Sequence, residues 1–322
     1  MEQNTVKQTE NFGEVIGLLK KKNIKFGSSK ETGKNYANGS IEVELTNEYG
    51  INVLKIDVMQ MELKKDGDSN KNYKALQTIN NEYKSIEEHG KENADLIQVF
   101  VKVEENNYYL KEEDEVKESV KLLATTNFDK KIFAPIARVK DKTTPHKASV
   151  SFGGMITKVI PNETTGELAV EIVGANYHGQ AVKHKLDVSK ELAGGFRGIY
   201  QEGAVTTLHY IVVNAVGVQK VESQVAFGQA PTYTIENFTR KNLVCGGDAV
   251  NYSSDMTQEI VVQMLKMREV TLAKVKEDAL KKEQTAGTNA GGFGTGTPDA
   301  GAFGGTSPFG GGVAPSNNPF GV

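Results

Sequence analysis

Between residues 148 and 227 the chain alternates apolar and polar positions in short runs, each closed by Gly, Pro or Asn, and this pattern leaves few folds open. Residues 148–160, ASVSFGGMITKVI, read as one long strand with a bend or bulge at Gly153-Gly154. A turn at 161–166 leads to a strand at 167–174, ELAVEIVG, and a further turn to a strand at 180–187, QAVKHKLD. Residues 188–195 read as a short helix or turn. Strands at 204–214 and 217–227 complete the unit. Each strand has one apolar face, so the set must close on itself or pack against a second layer.

Three strands, a short helix and two more strands, with a glycine kink in the first, resemble the OB-fold. That fold is a five-stranded Greek-key barrel whose second and third strands form a binding face. The expected class is therefore mainly β with helices, an α+β chain. It carries an OB-like five-stranded barrel in its second half.

The first half holds related signals. Residues 39–46, GSIEVELT, place Ile41, Val43 and Leu45 on one face and Glu42 and Glu44 on the other. Residues 51–61 form a second strand, joined through the turn Asn47-Glu48-Tyr49-Gly50. Phe12, Ile16 and Leu19 are spaced for an amphipathic helix at 10–22, and 73–89 reads as helical. A strand follows at 96–103. These elements fit either a second, divergent barrel or an α+β module. From Ser254 onward the pattern is helical to about residue 283, with Asp255 as N-cap and Gln258 three residues on. The expected segments are 1–135 (β-rich), 136–238 (OB-like), 239–284 (helical) and 285–322 (tail).

The tail has no Lys or Arg and one acid, Asp299, and is rich in Gly, Ala, Thr, Pro and Asn. Such a segment cannot bury enough apolar surface to offset backbone ordering, so disorder is expected. Phe293, Phe303, Phe309 and Phe320 recur through it, two of them directly after Pro308 and Pro319. Evenly placed rings in a polar tail suit partner recruitment, with Phe309, Pro319 and Phe320 as anchors.

Composition narrows the function. Net charge is −3 with 25% charged residues, which excludes a strongly basic nucleic-acid coat but not a local cationic groove. No apolar run is long enough for a membrane span, and the polar start lacks a signal-peptide core. With a single cysteine, Cys245, these features suit a reducing cytoplasm, the host's if the chain is viral. The stretch from Gly27 to Lys34 has five residues between its glycines and Asn35 after the lysine, so it is not a P-loop. His178, His184 and His209 could in principle hold zinc, but His184 alternates with Lys183 and Lys185 as an ordinary strand residue does. Cys245 has neither a base nor a cationic neighbour in sequence. No enzyme, metal or cofactor is expected.

Single strands are held by cations along a groove and by rings on which bases stack. Residues 136–228 hold ten Lys/Arg and eight Asp/Glu, a local excess of two positive charges. Candidate contacts there are Lys158, Lys183, Lys185 and Arg197, with Phe152 and the turn residue Tyr177 as platforms. Lys34 and Tyr36 are the candidates in the first half.

Barrel, absent catalytic constellation and Gly/Phe tail together resemble a bacteriophage-type single-stranded DNA-binding protein. The resemblance implies sequence-tolerant binding of single-stranded DNA in replication or recombination, with the tail recruiting replication or recombination proteins. Bacterial members of that class end in an acidic tip with the aromatic residue last. Here Gly321-Val322 follow Phe320, so the tail would act by apolar contact. The competing readings are a structural protein of a virion or assembly with a flexible arm, and a protein-binding adaptor.

Overall fold

The computed structural model describes residues 6–30, 32–126, 134–222 and 232–288. In chain order the elements are β1 (Asn11–Ser28), β2 (Asn35–Asn47), β3 (Gly50–Met61), α1 (Lys71–Glu82), α2 (Ile86–His89), β4 (Leu96–Glu105), β5 (Tyr108–Leu110), β6 (Glu115–Lys117) and β7 (Val120–Ala124). There follow β8 (Ile136–Arg138), β9 (Lys147–Pro161), β10 (Leu168–Ala175), β11 (Ala181–Val188), α3 (Lys190–Ile199), β12 (Val205–Glu222), β13 (Thr232–Gly247) and α4 (Gln258–Thr288). The chain is mostly β, with few helices and a long C-terminal one.

Strand pairing closes two circuits. In the first, β1 pairs with β2, β2 with β3, β3 with β7 in parallel, β7 with β4, and β4 returns to β1. In the second, β9 pairs with β10, β10 with β11, β11 with β13 in parallel, β13 with β12, and β12 returns to β9. The first strands of the two circuits pair antiparallel, Gly13 opposite Val150, which joins everything into one eleven-stranded sheet. The cores are continuous across that seam: Val15, Ile41, Ile56 and Val99 belong to the same apolar cluster as Phe152, Ile172, Leu186 and Leu208. The described residues up to Ala279 form one compact unit.

The two circuits are copies of one plan. A bulge interrupts β1 between Leu19 and Lys21, and β9 carries one at the matching place, opposite Glu171/Ile172. Lys21, Glu42 and Lys55 stand in one cross-strand row of the first circuit, and Lys158, Glu171 and Lys185 in the matching row of the second. The sequence echoes this. Lys55-Ile56-Asp57-Val58 matches Lys185-Leu186-Asp187-Val188, and the turn Asn47-Glu48-Tyr49-Gly50 matches Asn176-Tyr177-His178-Gly179. In both turns the asparagine side chain accepts a backbone N–H two residues on, at 2.9 Å. Where the strand crosses its neighbour each circuit uses a glycine. A Cβ on Gly17 would lie 2.5 Å from the Glu44 carbonyl oxygen, and one on Gly154 2.3 Å from that of Val173.

Several expected elements shift. Residues 10–22 form strand β1, not a helix. Its apolar positions look helically spaced because the bulge resets the alternation and β1 is flanked on both edges, by β4 and β9. The expected helix at 73–89 is two helices, broken where Ser85 caps α2 through the Glu88 N–H. The buried Lys22 ammonium binds the carbonyls of Asn80 and Tyr83 at the end of α1. The strands expected at 204–214 and 217–227 are one strand, β12, as far as Glu222, because Ala215-Val216-Gly217 continues its ladder with β13; 223–227 lie outside the described residues. The fifth strand of the second circuit is β13, which runs through residue 239, where the helical segment was expected to begin. Helix α4 starts later than expected; Thr257, not Asp255, accepts the Ile260 N–H. Its last turn reaches Thr288, so the tail beyond it, with Phe293, Phe303, Phe309, Pro319 and Phe320, lies outside the described residues.

Candidate nucleic-acid interface

Alternation along β10 and β11 sends Val170, Ile172, His184 and Leu186 into the core of the second circuit and the residues between them outward. The outward set includes the lysine candidates. Lys185 is exposed, without an ion pair among the described residues. Lys158 is exposed on β9, with its ammonium 3.5 Å from Glu171. Lys183 is different. Its ammonium lies 3.4 Å from Glu171 and 3.6 Å from Glu118, and its backbone N–H donates to Glu105. Those carboxylates come from β10 and from the first circuit, and Glu105 and Glu118 also hold the buried Arg268 of α4. Lys183 is thus neutralised within the protein and offers no free charge to a phosphate.

Phe152 cannot be a stacking platform. It is buried in the core, edge-on to His184 with ring centroids 5.4 Å apart. Sequence alone could not show this, because Gly153-Gly154 hides the strand's alternation. Tyr177 is 70% exposed in the β10–β11 turn, its ring against that of His178. Arg197 is exposed on α3, a helix that buries Ala193 and Phe196 against the core. Lys34 is exposed at the β1–β2 turn, and Tyr36 stands half-buried on β2 opposite Gly27.

Beside the candidate Tyr36, the first circuit presents outward residues that went unnoticed in the sequence. Lys25, Asn38 and Met59 form one cross-strand row, and Gly27, Tyr36 and Met61 the next. A Cβ on Gly27 would sit 3.3 Å from the Tyr36 hydroxyl, so the missing side chain is what lets the phenol lie across β1. The detectable signal was the internal repeat. Aligning Lys55-Ile56-Asp57-Val58 on Lys185-Leu186-Asp187-Val188 transfers the face from the second half to the first.

The histidines do not converge on a metal, and no such cluster exists among the described residues. His184 is in the core, bonded to the Tyr210 hydroxyl at 2.9 Å, and burial pulls its pKa down to about 4. His178 is in the turn. His209 bridges Ser151 Oγ, 2.9 Å from Nδ1, and Asp248 Oδ1, 3.1 Å from Nε2. The residue types are those of an acyl-transfer triad, but the ring nitrogens are exchanged, since in a triad Nε2 faces the serine and Nδ1 the aspartate. Ser151 also stands mid-strand between β1 and β12, where ladder pairing on both edges occupies the neighbouring backbone donors an oxyanion would need. Partial burial pushes the Cys245 thiol above its ordinary range, which disfavours the nucleophilic thiolate. No helix among the described residues is long and apolar enough to cross a membrane.

Two closed strand circuits with outward lysine rows make this a mostly β-sheet protein. The chain belongs to the YorF family, whose model matches residues 9–282. A comparison with curated proteins returns no match. Among solved structures it is similar to the wild-type single-stranded DNA-binding protein of Thermus aquaticus, at 12% identity and a TM-score of 0.45, over 76% of this chain and 95% of that one. A deletion variant of the same Thermus protein is similar at 12% identity and a TM-score of 0.44, over 76% of this chain and 97% of that one.

Proposed function

We propose that this protein binds single-stranded DNA with little sequence preference, through two OB-type barrels, and acts in DNA replication or recombination. The observation that carries the reading is the repeated strand order. Each circuit runs first, second, third, fifth, fourth and back to first, with the third and fifth strands parallel and a helix between third and fourth. That is the OB arrangement, whose second- and third-strand face is suited to oligonucleotides. Both circuits keep a Lys-Glu-Lys row on that face. Cations on a face wide enough for one backbone hold a single strand by charge, while rings and thioethers meet the bases.

Fluorescence anisotropy with labelled oligo-dT and a matched duplex tests this. Single strands should bind more tightly than duplex, and log affinity should fall with log salt by roughly 0.7 for each phosphate neutralised. Equal affinity for duplex, or no binding at low salt, would reject the reading and favour barrels that serve only as packing modules of an assembly.

The Gly/Phe tail is proposed to recruit replication or recombination proteins through Phe309 and Phe320. Pro before each ring favours extended backbone and lowers the entropy lost on docking. Truncation after Thr288 should leave the melting temperature and oligo-dT affinity unchanged while removing partner capture. A truncated protein that recovers the same partners would refute the recruiting role.

A further inference from the structure

We infer that the two barrel faces have divided their roles: the outer face of β1, β2 and β3 seats the DNA strand, and the matching face of β9, β10 and β11 is filled by α4. This rests on the DNA-binding reading and adds which half of the duplication does the binding.

The second face is closed by its own chain. Met155, Val173, Ala175 and Ala181 point out of the barrel, yet all are buried, packed against Met256 just before α4 and Val261 and Met264 in its first turns. Further along the helix, Arg268 is 8% exposed and tied to Glu105 and Glu118 of the first circuit. These two carboxylates and Glu171 surround Lys183. A phosphate approaching here would meet three acids and a helix.

The matching positions of the first face are built otherwise. Register places Leu18 for Met155, Glu44 for Val173, Thr46 for Ala175 and Ile51 for Ala181. Glu44 pairs with Lys91 at 2.8 Å and Lys21 with Glu87 of α2 at 3.1 Å, while Thr46 and Ile51 are exposed, the latter at 47%, so this end of the face carries no apolar helix such as α4. A glutamate in place of Val173 would not accept one. Toward the β1–β2 turn the face opens fully. Lys25, Lys34 and Lys55 are exposed and engaged in no ion pair among the described residues, and Met59 is 57% exposed between them. Tyr36 lies in the adjoining row, its phenol over Gly27. Cations at the margins and an apolar, aromatic centre are what a single strand requires. The second face has no outward ring on β10 or β11; Tyr177 stands in the turn between them.

Two charge reversals of equal size decide it. K25E/K55E should weaken oligo-dT binding at least tenfold in low salt and reduce the salt slope by about 1.4, since each lysine accounts for about 0.7. K158E/K185E, which includes the register partner of Lys55, should change affinity less than threefold. Y36A should cost about tenfold without altering the slope, because it removes stacking and no charge. All five positions lie at the surface or half-buried, and circular dichroism confirms the fold of each variant. Wild-type binding that K158E/K185E weakens as much as K25E/K55E, or that K25E/K55E leaves intact, overturns the division of roles while the DNA-binding reading stands. A wild-type protein that binds no oligo-dT overturns both.

Discussion

Replacing Gly154 by valine should destabilise the protein by about 3 kcal/mol, the upper range for forcing atoms into a packed site. At this position the added Cβ would sit 2.3 Å from the Val173 carbonyl oxygen, 2.6 Å from its carbon and 2.9 Å from the Gly174 nitrogen. All three are backbone atoms of the neighbouring strand, so no side-chain rotation relieves the contact. Relief requires β9 to lift from β10, which breaks the ladder on which the second circuit closes. For a chain this long, 3 kcal/mol corresponds to a fall of roughly 10 °C in melting temperature. Gly17→Val should have a similar cost, because its Cβ would meet the Glu44 carbonyl in the same way in the first circuit. Gly194→Ala is the control. It lies within α3 with open space around its missing side chain, and should gain about 0.5–1 kcal/mol by restricting the unfolded chain. Thermal unfolding by circular dichroism reads all three. A Gly154→Val protein as stable as the parent would mean that β9 does not bend tightly across β10.

The same glycines explain what the sequence made legible. Gly153-Gly154 in an apolar run announced a bent first strand, and clean alternation through 167–187 announced the next two. The first circuit was harder to read. The bulge after Leu19 shifts the alternation of β1, and apolar residues on both sides of that shift imitate helical spacing. Strand β12 was cut in two because Ala215-Val216-Gly217 has turn-like composition, whereas pairing to Thr239, Phe238 and Asn237 keeps it extended. Both errors come from contacts distant in sequence, which local pattern does not encode. The candidate contacts followed the same rule in where they lie, at the surface or spent within the protein. Lys34 and Tyr36 were legible as a cation and a ring beside a turn. That Lys183 is spent on Glu118 and Glu171 was not, because Glu118 comes from a loop of the other circuit. The duplication was legible in principle, since both halves carry Lys, an aliphatic residue, Asp and Val on the third strand.

His184 should make the protein acid-sensitive between pH 6.5 and 4. In the folded chain its pKa is drawn from 6.5 down to about 4 because burial penalises the charged ring. The unfolded chain therefore binds a proton in this window that the folded one refuses, and stability falls as pH falls. Integrated over the window, the loss is about 3 kcal/mol; below pH 4 both states are protonated and this contribution stops changing. The cause can be isolated, because the first circuit shows the apolar alternative. Register puts Leu54 where His184 stands and Val101 where Tyr210 stands. The His184–Tyr210 hydrogen bond is thus a polar pair inserted into a position that packs well without it, and removing both partners leaves no orphaned donor. H184L/Y210F should flatten the dependence between pH 6.5 and 5, above the range where most carboxylates titrate, and raise the urea midpoint at pH 5 relative to the parent. H184L alone should flatten the dependence as well but lower stability at pH 7, since the fully buried Tyr210 hydroxyl then lacks its hydrogen-bond partner. If the double variant keeps the parent's acid slope from pH 6.5 to 5, another group controls it. The partly buried His146, whose pKa is also lowered by burial, would be the next to replace.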